Sequence, residues 1–66
     1  MMVVVNGDPR TLLRSSSAAE MLAELGLDPR AVVVELNRTI IRRATLAETP
    51  IAEGDVVEIV HFVGGG

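Results

Sequence analysis

Only one segment of this 66-residue chain has the periodicity of an amphipathic helix. Its apolar residues recur at i, i+3, i+4 and i+7, and they are Ala18, Met21, Leu22 and Leu25. Ser17 and Glu20 have capping-box spacing at its start, and Gly26 is expected to end it. Because one helix covers only one face of a sheet, the other residues are predicted to form a sheet with one face left open.

Short runs of β-branched residues, separated by turn residues, predict the strands of that sheet. The predicted strands are residues 2–6, 10–14, 31–36, 39–43 and 56–63. Asn6-Gly7 suits a tight hairpin turn, Asn37-Arg38 is expected to form a second turn, and Pro9 fits only at the start of its strand. In the connection over residues 44–55, Leu46 is placed in one helical turn and Ile51 is expected to plug the core. The predicted fold class is α+β, with a curved mixed sheet of about five strands and one main helix on one face.

The composition indicates a small domain with an apolar core and excludes several classes of chemistry. Hydrophobic residues make up 48% of the chain, so intrinsic disorder is not expected. Cysteine and lysine are absent, which excludes disulfides, thiolate catalysis and Schiff-base chemistry on this chain. The formal net charge is −3 and Phe62 is the only aromatic residue, so we expect no binding of nucleic acid.

Neither a membrane nor a metal site is predicted. No run approaches the ~20 apolar residues that a membrane helix needs, and residues 1–5 are too short and too uncharged for a signal peptide. His61 is the only histidine, and the scattered carboxylates do not complete a set of metal ligands. We therefore expect a cytoplasmic protein that forms a single domain over residues 1–66.

Most remaining polar residues are assigned structural roles. Glu20 and Glu24 are interpreted as an ordinary solvated helix face rather than as paired catalytic carboxylates, and His61 as a residue at the rim of the sheet. Three arginines are expected to cluster on or beside the second hairpin, namely Arg38, Arg42 and Arg43. They are interpreted either as edge charges that discourage aggregation or as a patch that docks an acidic partner.

The last predicted strand carries apolar residues on both of its faces. Because side chains alternate along a strand, Val57, Ile59 and His61 point one way, whereas Glu58, Val60 and Phe62 point the other. If the first set faces the helix, Val60 and Phe62 lie on the open face and form a partner-binding patch. The alternative is that this face curls over and buries Phe62.

The sequence ends in a run of three glycines, Gly64-Gly65-Gly66. Glycine has no Cβ, so such a run forms a thin strip that fits a slot too narrow for side chains. One interpretation is that the Gly66 carboxylate is a reactive group offered to another enzyme. The other is a flexible end over residues 63–66 without a function. No phosphate-binding loop is indicated, since no helix follows the glycines.

Several short motifs, taken in order, resemble those of the ubiquitin-like β-grasp sulfur carriers, and most closely the ThiS family. They are Val5-Asn6-Gly7, Val34-Glu35-Leu36-Asn37 and residues 54–60 leading into Gly65-Gly66. The resemblance covers nearly the whole chain and implies a β-grasp fold. Two positions depart from the family pattern, because Arg38 stands where a glycine or acidic residue is common, and Arg42 where a proline is common.

The resemblance also implies a function for the glycines. A ThiF-like adenylating enzyme would use ATP to activate the Gly66 carboxylate, and a sulfur donor system would convert it to a thiocarboxylate. A ThiG-like thiazole synthase would then take the sulfur for thiamine biosynthesis. Gly66 would be the reacting residue, Gly64 and Gly65 slender spacers, and Val60 and Phe62 partner contacts. The chain would be a co-substrate rather than an enzyme and would bind no cofactor itself.

Two other kinds of function stay open at this point. Carriers with the same chemistry serve molybdopterin synthesis, tRNA thiolation or cysteine synthesis, although molybdopterin carriers often have prolines just before the glycines, where this chain has His61-Phe62-Val63. A β-grasp domain can also be a non-catalytic interaction module, which would not need a free glycine terminus. Attachment to other proteins through an isopeptide bond is a further alternative.

Overall fold

A five-stranded mixed sheet and one α-helix form the two layers of the computed structural model, which describes residues 1–62. In chain order the elements are β1 (Met2–Val5), β2 (Asp8–Thr11), α1 (Ala18–Glu24), β3 (Val32–Leu36), β4 (Thr39–Ile41), a 3-10 helix (Arg43–Glu48) and β5 (Val56–His61). The strand order across the sheet is β2-β1-β5-β3-β4. Only the central β1–β5 pair is parallel within the described part of the chain. The predicted α+β class and mixed sheet are confirmed.

Both hairpins turn at an asparagine with a left-handed backbone. In the first turn φ is 50° at Asn6 and 84° at Gly7, and in the second it is 49° at Asn37 and 73° at Arg38. Two consecutive residues with positive φ are what a tight two-residue hairpin requires, and asparagine and glycine tolerate this conformation best. The predicted turns are therefore confirmed, although Arg38 adopts a backbone that is unusual for a long side chain.

The second predicted strand is displaced in the structure. We expected it over residues 10–14, but β2 begins at Asp8 and ends at Thr11. Pro9 is the second residue of β2 and pairs with Val4 on an edge strand, where a missing N–H is tolerated. Leu12 still exchanges backbone hydrogen bonds with Met1, but the pairing goes no further, because the backbone N–H of Leu13 bonds to the Glu24 carboxylate instead.

The helix begins where the capping pattern predicts, with one difference. The Ser17 hydroxyl accepts from the backbone N–H of Glu20 at 3.2 Å, as an N-cap should. The Glu20 carboxylate accepts from the N–H of Ser16 at 2.8 Å, one residue before the position expected of a capping box. Gly26, with φ of 75°, follows the last turn and ends the helix as predicted.

One core lies between the helix and the inner face of the sheet. Its largest fully buried side chains come from both layers and are Val3, Leu12, Met21, Leu22, Val34 and Val57. Leu46 in the 3-10 helix and Ile51 after it are also buried, which confirms both predictions for the long connection. The backbone of Thr49 and Ile51 bonds to Ala18 and Ser16, so the connection is tied to the start of the helix.

Candidate functional site

The last strand has one buried and one exposed face. Val57 and Ile59 belong to the core, whereas Val60 is 63% exposed and Phe62, directly after the strand, is 62% exposed. The alternative in which the sheet curls over and buries Phe62 is wrong, because α1 covers only the opposite face. An apolar surface therefore lies at the end of β5, where the sequence places the approach to the glycines.

A residue of β4 extends this apolar surface. Ile40 is 64% exposed, and with Phe62 it lines a shallow depression of about 350 Å³ on the sheet. Val33, between them, lines the same depression and pairs with Val60 across the β3–β5 ladder. We call Ile40, Val60 and Phe62 the open-face patch. Contiguous exposed apolar side chains of this kind are typical of interaction sites.

The sequence did not single out Ile40. Ile40 and Ile41 are adjacent in a three-residue strand, so alternation alone does not say which of them is exposed. The β3–β4 register decides it, because Ile40 pairs with Glu35 and Ile41 with the buried Val34. The exposure of Ile40 could have been predicted from the two-residue turn at Asn37-Arg38, because the turn determines the register of β3 against β4.

The predicted arginine cluster is divided in the structure. Arg43 lines the depression next to Phe62, together with Arg30, whereas Arg38 lines a different depression with Glu35 and Glu58. Arg30 forms an ion pair with Asp28 at 3.1 Å, which lowers the pKa of that carboxyl. Arg43 therefore places a positive charge at one margin of the open-face patch. Arg38 lies elsewhere, beside two glutamates.

Two glutamates of the helix bind the loop that leads into it. Glu24 accepts from the backbone N–H of Leu13, from that of Arg14 at 3.2 Å and from the Ser15 hydroxyl at 2.6 Å. These hydrogen bonds, above all the one from the Leu13 amide, hold the pKa of Glu24 below its ordinary value. The Ser16 hydroxyl and amide lower the pKa of Glu20 in the same way. The interpretation as a solvated helix face is confirmed, since both side chains are exposed. In addition, both carboxylates anchor residues 13–16.

The described residues contain no cluster of side chains suited to binding a metal ion. Across residues 1–62, no group of three or more histidine, aspartate or glutamate side chains could hold a metal ion. His61 is exposed at the end of β5. Within the same residues no helix is long and apolar enough to cross a membrane.

The structure locates the predicted partner contacts but not the predicted reacting group. Val60 and Phe62 lie together on the open face, and the N–H of Phe62 donates to the carbonyl of Ala31 at 2.9 Å. The predicted residues Gly64, Gly65 and Gly66 lie outside the described residues. The roles of all five residues stay predictions.

Comparison with known proteins agrees with this fold over the whole chain. The model of the ThiS family matches residues 3–66, a range that includes the glycines. The sulfur carrier protein ThiS of Bacillus subtilis is 38% identical over 98% of this chain and all of its own length. The crystal structure of a thiamine biosynthesis protein (ThiS) from Geobacter metallireducens has a TM-score of 0.83 and 35% identity, with full coverage of both chains.

A longer relative matches as well. A thiazole synthase of Paramagnetospirillum magneticum is 41% identical over the whole of this chain. The chain spans only 20% of that protein's length, and the same share of a second thiazole synthase, from Magnetococcus marinus. The family model and the full-length relatives agree with the β-grasp architecture of the structure, and the chain belongs to the ThiS family.

Proposed function

We propose that this protein is a sulfur carrier of thiamine biosynthesis and that the Gly66 carboxylate bears the sulfur. The proposal rests on the combination of an apolar surface at the end of β5 with a family match that includes the glycines. Two exposed apolar side chains, Val60 and Phe62, lie a few residues before the glycines in the sequence, and the family match continues through Gly66. The proposal requires Gly66 to be the C-terminal residue of the protein in its source. The intact mass of the protein isolated from that source tests this requirement.

The chemistry explains why such a carrier needs an activating enzyme. A carboxylate is a poor electrophile, so a ThiF-like enzyme joins the Gly66 carboxylate to AMP and releases pyrophosphate from ATP. A sulfur donor system then displaces AMP and leaves a thiocarboxylate on Gly66. ATP is bound by the partner, so this chain needs no cofactor. Its carboxylates at Glu20 and Glu24, already engaged with the 13–16 loop, take no part.

The same geometry suggests how the partners hold the carrier. The open-face patch offers apolar area for docking, and Gly64 and Gly65 pass through a channel too narrow for side chains. A ThiG-like thiazole synthase is the proposed sulfur acceptor. The thiazole synthases that contain a segment similar to this chain support that pairing. In this scheme the chain is a co-substrate, and its cytoplasmic location stays a prediction.

The proposal is tested by ATP–pyrophosphate exchange with a purified ThiF-like enzyme. We expect exchange that depends on the wild-type chain and is lost when Gly66 is removed or when one alanine is added after it. Neither change touches residues 1–62, so both variants should unfold at the wild-type temperature. Exchange that persists with the extended variant would show that the Gly66 carboxylate is not the activated group.

A further inference from the structure

The Asn6 side chain holds the last strand close to the point where the chain continues toward the glycines. Its Oδ1 accepts from the backbone N–H of Ile59 at 2.8 Å. Its Nδ2 donates to the carbonyl of the same residue at 3.1 Å. One side chain thus satisfies both backbone groups of Ile59, as a neighbouring strand would.

The course of β1 explains why a side chain is needed there. β1 pairs with β5 only at Val4 and Val5, and its last backbone bond runs from the N–H of Asn6 to the carbonyl of Val57 at 2.9 Å. The chain then turns away into the hairpin, with φ of 50° at Asn6. On the opposite edge, β3 accompanies β5 as far as His61. On the β1 edge, the Asn6 amide continues the ladder to Ile59.

We propose that Asn6 is a positioning residue that fixes the last residues of β5 for docking to a partner enzyme. The consequence for sulfur transfer rests on the proposed function, because it requires an enzyme that binds those residues. With β5 held by Asn6 at Ile59 on one edge and paired with β3 on the other, Val60 and Phe62 stay in place before binding. The enzyme then orders less chain when it binds the carrier, which favours affinity.

Asn37 provides a matched control at the other end of the same strand. Its φ is 49°, and its own backbone N–H donates to the carbonyl of Val56 at 2.7 Å. Its Oδ1 accepts from the N–H of Val56 at 2.9 Å, and its Nδ2 donates to the Asp55 carboxylate at 3.1 Å. Glycine at either position keeps the left-handed backbone and removes two side-chain hydrogen bonds. The two variants therefore lose comparable interactions at opposite ends of β5.

The test compares Asn6→Gly with Asn37→Gly by amide hydrogen exchange and by the kinetics of adenylation. In Asn6→Gly we expect faster exchange over residues 59–62 and a KM for the carrier raised about tenfold, with little change in kcat. In Asn37→Gly we expect faster exchange over residues 55–57 and kinetic constants close to those of the wild type.

Two results would overturn the inference. One is unchanged exchange over residues 59–62 in Asn6→Gly, and the other is an equal rise of KM in both variants, which would indicate a general loss of stability. If the wild-type chain is not adenylated at all, the proposed function fails. The exchange comparison still decides whether Asn6 fixes the end of β5, so the two failures are distinguishable.

Discussion

On β5, neighbouring residues lie in opposite environments, because Ile59 is buried under the helix layer whereas Val60 is largely exposed on the open face. The covered face meets α1, the 3-10 helix and Ile51, and its side chains form one core. The open face carries Ile40, Val60 and Phe62 without a covering element among residues 1–62. One face of β5 thus stabilises the fold, and the other is available for binding. Substitutions on the covered face should therefore change stability, and substitutions on the open face should change binding.

The largest expected effect is on the covered face. Met21→Ala removes a fully buried side chain of α1 and leaves a cavity, so we expect the free energy of unfolding to fall by about 2–5 kcal/mol. A domain of this size has a small free energy of unfolding, so the loss should be visible as a lower urea midpoint. At a temperature where the variant is still folded, its KM with the adenylating enzyme should match that of the wild type. A selective rise of KM in the folded variant would contradict the separation of the two faces.

The next largest effect is on the open face. Phe62→Ser removes an exposed ring of the open-face patch, so we expect stability to change by no more than about 0.5 kcal/mol. Binding to the adenylating enzyme should weaken about tenfold or more, because buried aromatic anchors carry much of an interface energy. Titration calorimetry measures the affinity and urea unfolding the stability.

Two valines of β5 sharpen this comparison on the open face itself. Val60→Ser changes an exposed valine within the patch, whereas Val56→Ser makes the same change to an exposed valine at the start of the strand. We expect only Val60→Ser to weaken binding, by several-fold, since a lost methyl contact is worth about 1 kcal/mol. Equal weakening by both variants would show that the docking surface is not confined to the end of β5.

The smallest effect concerns the polar side of the helix layer. The folded-state pKa of Glu24 is lowered by its bonds to residues 13–15, so its contribution to stability is complete above the unfolded value of about 4.3. It is lost as the pH falls through the lower folded-state pKa. Glu24→Gln should therefore reduce the acid dependence of the urea midpoint below about pH 4.3. An acid dependence of the urea midpoint that is the same in Glu24→Gln and in the wild type would contradict this prediction.

The sequence was sufficient for features that depend on local periodicity. The stripe from Ala18 to Leu25 and the alternation from Val57 to Phe62 predicted which side chains share a face, because side-chain direction follows from the backbone of each element. The turns at Asn6 and Asn37 were predicted for a similar reason. These features need no knowledge of what lies across the fold.

Features that depend on long-range contacts were missed or misplaced. The exposure of Ile40 depends on the β3–β4 register, and the early end of β2 depends on Glu24, which lies eleven residues beyond Leu13. The bonds from Asn6 to Ile59 join residues that are 53 positions apart. Periodicity carries no information on such partners, so an asparagine predicted only as a turn residue also acts as a strand partner.

The most direct test of the proposed function is the intact mass of the chain after incubation with a ThiF-like enzyme, ATP and a sulfur donor system. We expect a mass increase that matches replacement of one oxygen by sulfur, and fragmentation that assigns this increase to Gly66. The increase should require ATP and should disappear when Gly66 is deleted. An unchanged mass, under conditions in which the Bacillus subtilis sulfur carrier protein ThiS is converted, would contradict the proposal that Gly66 bears the sulfur.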